Sequence, residues 1–194
     1  MTVVLWVLLG IVVVIAIGLA VSYNRFVRQR NLVRESWQQV DVELQRRHDL
    51  IPNLVDTVKA YAVHERQVFD AVTQARAAAE QVRAQAGDDR ARRADAENAL
   101  SRAVTAVVAV AENYPQLKAS QNYLALQEEL VDTEDRIAAG RRFYNGNVRA
   151  LNTRVEAFPS NLVANAFHFT TAEYFELEDP GARQAVRVDL GGPA

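Results

Sequence analysis

Residues 3–21 read VVLWVLLGIVVVIAIGLAV, nineteen consecutive residues without a charge. A helix of that length rises about 28 Å, close to the roughly 30 Å hydrocarbon core of a bilayer. Trp6 and Tyr23 stand near its two ends, where amphipathic rings favour the membrane interface. All the Asp, Glu, Lys and Arg residues, 24 acidic and 22 basic, therefore lie in 23–194. The pattern predicts a transmembrane anchor at 1–22, with Val3, Trp6 and Val21 in the span, joined to a charged domain. A cleavable signal peptide is the rival. Gly18-Leu19-Ala20 would serve as a cleavage site, but no Lys or Arg precedes the apolar run, and the run exceeds the usual 7–15 residues.

Arg25, Arg28, Arg30 and Arg34 follow the span with no acid before Glu35. By the positive-inside rule they place the N-terminus outside and the following domain in the cytoplasm. The same four side chains are candidates for contact with anionic headgroups at the membrane surface. Ala16 and Ala20 form a small-xxx-small pair, a weak dimerisation signal. The net charge of −2 gives no global basic field for nucleic acid. The absence of cysteine excludes disulfides, thiolate metal sites and a cysteine nucleophile, without fixing the compartment.

Residues 23–158 contain three glycines and two prolines, a scarcity of breakers that favours long helices. In a first helix, from about 22 to the low sixties, Val33, Val40, Leu54 and Tyr61 share one heptad position, interrupted by Arg47. Trp37, Leu44, Ile51 and Val58 share another. Nothing breaks the chain between span and helix, so one continuous rod is expected, with a kink or local break at Pro52 against the carbonyl of His48. A second helix at about 65–85 carries Val68, Val72, Ala75, Ala79, Val82 and Ala86, with Gly87 suited to its C′ position and Asp88 or Asp89 to the next cap. A third, at about 90–113, carries Ala96, Leu100, Ala103, Val107, Val110 and Tyr114. Asn113-Tyr114-Pro115 punctuates the chain, and a last helix at about 116–157 repeats Tyr123, Leu130, Ile137, Tyr144, Leu151 and Phe158 every seven residues. Short connections between amphipathic helices predict an all-α, antiparallel up-and-down bundle of three to four long helices over 23–158.

The segment 159–194 is expected as an extended aromatic tail packed on the bundle, with a short strand around Val186, Val188 and Leu190, a turn at Asp179-Pro180-Gly181 and a frayed end. An exposed docking segment is the alternative. Phe158, Phe167, Phe169, Tyr174 and Phe175 are five of fifteen aromatics within eighteen residues, and so many exposed rings would be an aggregation liability.

Catalytic signatures are scarce. His48, His64 and His168 belong to no Glu-x-x-His or His-Glu-x-x-His pattern, and no glycine-rich phosphate loop or nucleophile elbow occurs. His64-Glu65 with Asp70 reads more simply as a helix start than as a metal site. Glu128, Glu129, Asp132, Glu134 and Asp135 read as a solvated face, and Gln127, Glu134 and Arg141 as the rim of the last helix's apolar stripe, with a buried Glu–Arg pair that specifies register as the alternative.

Several stretches resemble the LemA family. They are Tyr23-Asn24 and basic residues after an apolar start, Arg46-Arg47-His48-Asp49-Leu50-Ile51-Pro52-Asn53-Leu54-Val55, Glu112-Asn113-Tyr114-Pro115-Gln116-Leu117-Lys118-Ala119, Leu126-Gln127-Glu128-Glu129-Leu130, Glu134-Asp135-Arg136-Ile137, Arg141-Arg142-Phe143-Tyr144-Asn145 and Phe158-Pro159-Ser160-Asn161-Leu162. The resemblance implies a bacterial membrane protein with one N-terminal span and a cytoplasmic helical bundle. It implies no enzymatic activity, cofactor or catalytic residue, and some relatives are associated with organising bacterial membranes. Asn145 and Asn152, seven apart beside Tyr144 and Leu151, suggest an interhelical hydrogen-bond ladder.

The expected function is a non-enzymatic scaffold or adaptor of the bacterial cell membrane. Its partners would be the lipid bilayer and other membrane or envelope proteins, not nucleic acid. A self-assembling structural homo-oligomer is the alternative, and a metal-dependent hydrolase using Glu134, Asp135 and His64 the remaining one.

Overall fold

The computed structural model describes residues 1–87 and 89–177. Among the described residues there are six helices: α1 Thr2–Lys59, α2 Arg66–Gln85, α3 Arg90–Glu112, α4 Pro115–Lys118, α5 Gln121–Glu156 and α6 Ser160–Ala166. No strand occurs among the described residues. The turn expected at Asp179-Pro180-Gly181, the alternation at Val186, Val188 and Leu190, the frayed end and the Asp88 cap lie outside them.

The expected rod is present. α1 runs 58 residues without interruption, from the apolar segment into the middle of the bundle, about 87 Å in all. Residues 3–21 are exposed along their whole length, while Phe26, Trp37, Val40, Leu44, Ile51, Leu54 and Val58 are buried. α5 packs along α1 in the opposite direction, since Gln29 meets Asn147, Val40 meets Gly140 and Arg46 meets Glu129. α2 and α3 form a hairpin beside them: Arg83 reaches Asp41 and Arg76 reaches His48, whereas Arg93 reaches Asp41 and Arg47 reaches Ser101. The long helices α1, α2, α3 and α5 thus alternate up and down, as the short connections require.

Local chemistry sets the helix ends. Gly87 adopts φ +53°, the left-handed conformation that glycine takes at little cost, and the Asp89 side chain accepts from the Arg92 amide at 2.8 Å to cap α3. The anticipated single helix from 116 is instead divided. Pro115 starts the one-turn α4, which sends Leu117 into the core, and Ser120 is extended (ψ 123°) before α5 begins. The tail is not extended from 159, because seven residues form α6 first. α6 ends with the His168 and Phe169 amides on the carbonyls of Asn165 and Ala164, at 3.5 and 2.9 Å. This is a Schellman arrangement with His168, φ 56°, where glycine is usual. It turns Phe169 back to stack on Phe26, ring centroids 4.8 Å apart.

α1 and α5 approach closely at Gly140, where an added Cβ would stand 3.2 Å from Val40 Cγ2. Gly140→Leu is therefore expected to overpack the crossing and lower stability by about 1–3 kcal/mol, whereas Gly140→Ala should be nearly neutral because better helix propensity offsets the tight contact. Thermal melts of the two variants check this ordering.

Candidate functional site

Three structural features absorb the residues singled out in the sequence: the membrane-proximal end, a buried charge cluster, and a clamp on the tail.

At the membrane-proximal end Val3, Trp6 and Val21 face outward from α1. Arg25, Arg28, Arg30 and Arg34 remain exposed, although the Arg30 guanidinium lies over the Phe169 ring at 5.5 Å. The four arginines do not converge on one point. Arg25 borders a groove shared with α5 and α6, and Arg34 borders a cleft with Trp37 and Arg90.

The buried cluster includes Glu134, whose arginine partner is Arg47 of α1 rather than Arg141 of its own helix. Arg47, which interrupts a heptad stripe of α1 as a sequence, occupies a core position with 0% exposure. Its guanidinium donates to Ser101 Oγ at 2.7 Å, Glu134 Oε1 at 3.0 Å and the Glu97 carboxylate. Both Glu97 oxygens lie 3.1–3.2 Å from His48 Nε2. Burial pushes the Glu97 carboxyl up, but the His48 hydrogen bond and the Arg47 charge overcome this and hold it below its ordinary value. Burial likewise disfavours the Arg47 charge, and Glu134 and Glu97 more than compensate, so its affinity for a proton rises. Asp41 follows the same pattern: burial raises its carboxyl, and Arg83 and Arg93 together bring it below the ordinary value.

Pro52 explains part of this arrangement. It lacks the N–H that would bond the His48 carbonyl one turn earlier. The helix nevertheless continues through Pro52, so the expected local break does not occur. The freed carbonyl of His48 accepts from Arg76 Nε of α2 at 2.9 Å, and Arg76 also pairs with Glu80 at 2.8 Å. The proline thus creates an acceptor that ties α1 to α2. Beside it Ile51 and Leu54 enter the core, while Pro52 and Asn53 are exposed. Asn113 caps the end of α3, Tyr114 precedes α4 half-buried against the core, and Pro115 takes the first position of α4.

The clamp corrects the expected interhelical ladder. Asn145 donates to the Phe175 carbonyl and accepts from its amide, both at 3.0 Å. Asn152 does the same with Ala172, at 3.0 and 2.8 Å. The two asparagines therefore read the backbone of the extended tail, not another helix. Seven helical residues advance about 10.5 Å and three extended residues about 10 Å, so the two spacings coincide. Between them the Tyr144 hydroxyl donates to the Glu173 carbonyl at 2.8 Å. Phe175 is buried against Trp37, which also packs on Tyr144. Of the five tail aromatics only Phe169 and Phe175 are buried, while Phe158, at the cis Phe158–Pro159 peptide, is exposed.

The hydrolase arrangement is not assembled. Glu134 is engaged by Arg47, whereas His64 lies beyond the end of α1, some 18 Å of helix further on. Among the described residues no group of three metal-ligating side chains occurs.

Fold and site together define a membrane-associated helical protein, with one helix among the described residues long and apolar enough to span a bilayer and a four-helix bundle that clamps its own tail. The LemA family profile matches residues 36–190, and the chain belongs to that family. It is 29% identical over 193 residues to magnetosome protein MamQ 2 of Paramagnetospirillum magneticum, covering 89% of this chain and 71% of the relative. It is 27% identical over 184 residues to magnetosome protein MamQ of Magnetospirillum gryphiswaldense, covering 84% and 68%. It is 24% identical over 167 residues to protein LemA of Metamycoplasma hominis, covering 86% and 72%.

Proposed function

We propose that this protein is a non-enzymatic scaffold of the bacterial cell membrane. It crosses the membrane once, N-terminus outside, and presents its bundle on the cytoplasmic face to recruit membrane or envelope proteins. The unbroken α1 carries this reading: the exposed apolar segment and the core helix of the bundle are one element. A bundle fixed to its anchor in this way holds any bound partner at a set height and angle. The arginines at 25, 28, 30 and 34 support the orientation through the positive-inside rule.

Deletion of residues 1–22 is expected to move the protein from the membrane to the soluble fraction with its helical circular dichroism retained. Loss of that signal would contradict an independently folded bundle. A cytoplasm-active reporter fused after Ala194 should function and a periplasm-active one should not; the reverse result would invert the topology.

Self-assembly into a membrane-organising structure is the second reading. Leu124 and Val131 favour it, since they stay exposed on α5 beside the stripe of buried residues. Crosslinking in native membranes separates the two, because a scaffold acting alone gives no homotypic ladder.

A further inference from the structure

α5, α6 and the last turns of the apolar segment enclose a groove of about 640 Å³. Ile15 and Leu19 of α1 form one wall, Pro159 and Leu162 the opposite one, and Arg25 and Arg154 the rim. The groove's position along α1 sets its depth. If residues 3–21 span the hydrocarbon, Ile15 and Leu19 lie in the inner leaflet's acyl region, and whatever stands beside them lies there too. The α5–α6 corner is therefore inside the leaflet rather than above it. This accounts for three large apolar side chains that the bundle leaves outside: Phe158 at 79%, Leu162 at 60% and Phe167 at 52% exposure. It also matches Tyr23, whose ring meets Phe167 at 5.0 Å where amphipathic aromatics favour the interface.

The rim is cationic. Arg25 lies about 15 Å along the helix from Ile15, one leaflet's depth of acyl chain. Arg154 lines the same groove, its guanidinium 5.9 Å over the Phe26 ring and its Nε buried without a hydrogen-bond partner. Neither guanidinium pairs with a carboxylate among the described residues. An apolar trough at acyl depth under two cationic forks at headgroup depth has the shape and polarity of a phospholipid, and planar guanidinium groups suit bidentate phosphate contacts.

We propose that this groove binds one anionic phospholipid of the inner leaflet. Its acyl chain would lie between Leu19 and Leu162 and its headgroup on Arg25 and Arg154, so that the α5–α6 corner forms a second membrane attachment. The inference rests on the reading of α1 as a membrane span.

The test uses the full chain reconstituted in vesicles whose lipids carry bromine on the acyl chains, as phosphatidylglycerol or as phosphatidylcholine. Trp6 of the native chain reports the span. Phe158→Trp in a Trp6→Phe background reports the corner, with buried Trp37 as the unquenched reference. The indole introduced by Phe158→Trp should be quenched, and more strongly by brominated phosphatidylglycerol. Arg25→Gln and Arg154→Gln should each reduce that lipid preference about fivefold, and lysine at both positions should restore it only in part, since an ammonium keeps the charge but not the bidentate fork. Arg25 is exposed, so its variant alone tests the headgroup contact without disturbing the core. Quenching of Trp6 with none at position 158 would overturn the inference and leave the anchor standing. Equal quenching by both lipids would overturn the anionic site. Absence of quenching at both positions would overturn the anchor as well.

Discussion

Arg47→Ala is expected to lower the stability of the bundle by about 3–5 kcal/mol, the cost of leaving a buried charge without its partner. In the native fold Glu97 shares its two oxygens between Arg47 and His48. Without the guanidinium, a carboxylate almost wholly removed from water keeps only the imidazole. Arg47→Met combined with Glu97→Leu should recover most of the loss, since an apolar replacement of a buried pair is often neutral. Recovery should be incomplete, because His48 Nε2 then loses its acceptor. A double-mutant cycle by chemical denaturation measures the coupling; additive losses would show that the two side chains act independently. The cluster also sets an acid limit. Glu97 and Asp41 both titrate below their ordinary values in the folded chain, so unfolding takes up protons in acid. Their contribution is complete above the unfolded carboxylate range of about 4 and declines as pH falls through the lower folded values. Glu97→Gln should flatten this part of the stability profile while lowering stability at neutral pH.

Removing both clamp side chains, Asn145→Ala with Asn152→Ala, is expected to cost about 2–6 kcal/mol, from four hydrogen bonds at about 0.5–1.5 kcal/mol each. The loss should be local. Backbone amides of Ala172 and Phe175 should exchange with solvent much faster, and the segment should become open to proteolysis, while helical circular dichroism changes little. Phe175→Ala should release the same segment by another route, because it empties the space against Trp37 at about 3–5 kcal/mol for a fully buried ring. Unchanged exchange in the asparagine double variant would mean that the aromatic anchors alone hold the tail.

The apolar stripes carried most of the bundle into view, because burial follows heptad spacing: Trp37, Leu44, Ile51 and Val58 are all in the core. Charge concealed the rest. Arg47 stands on the same stripe as Val40 and Leu54, and only its guanidinium made it read as an interruption. Glu97 likewise continues the buried series Leu100, Val104, Val107 and Ala111 one turn earlier. Spacing was therefore the better guide at both positions than side-chain type. The clamp was half legible. The seven-residue interval of Asn145 and Asn152 marked them as a pair, but an extended strand and a helix offer nearly the same repeat at that distance. Local sequence does not say which element, 20–30 residues downstream, will answer it. Phe158 shows the opposite limit: it continues the heptad of α5 but falls after the helix ends, so its ring faces away from the core.

The continuity of α1 also fixes a phase. An α-helix turns about 100° per residue, so the face of the apolar segment that lies beside the α5–α6 corner is determined by the count of residues between that segment and Phe26. One residue inserted there would leave the span and the core individually intact. It would nevertheless swing the whole bundle by about 100° around its mast, carrying the α5–α6 corner away from Ile15 and Leu19. The helix thus acts as a key as well as a tether, since its register selects the one face of the apolar segment that the α5–α6 corner meets.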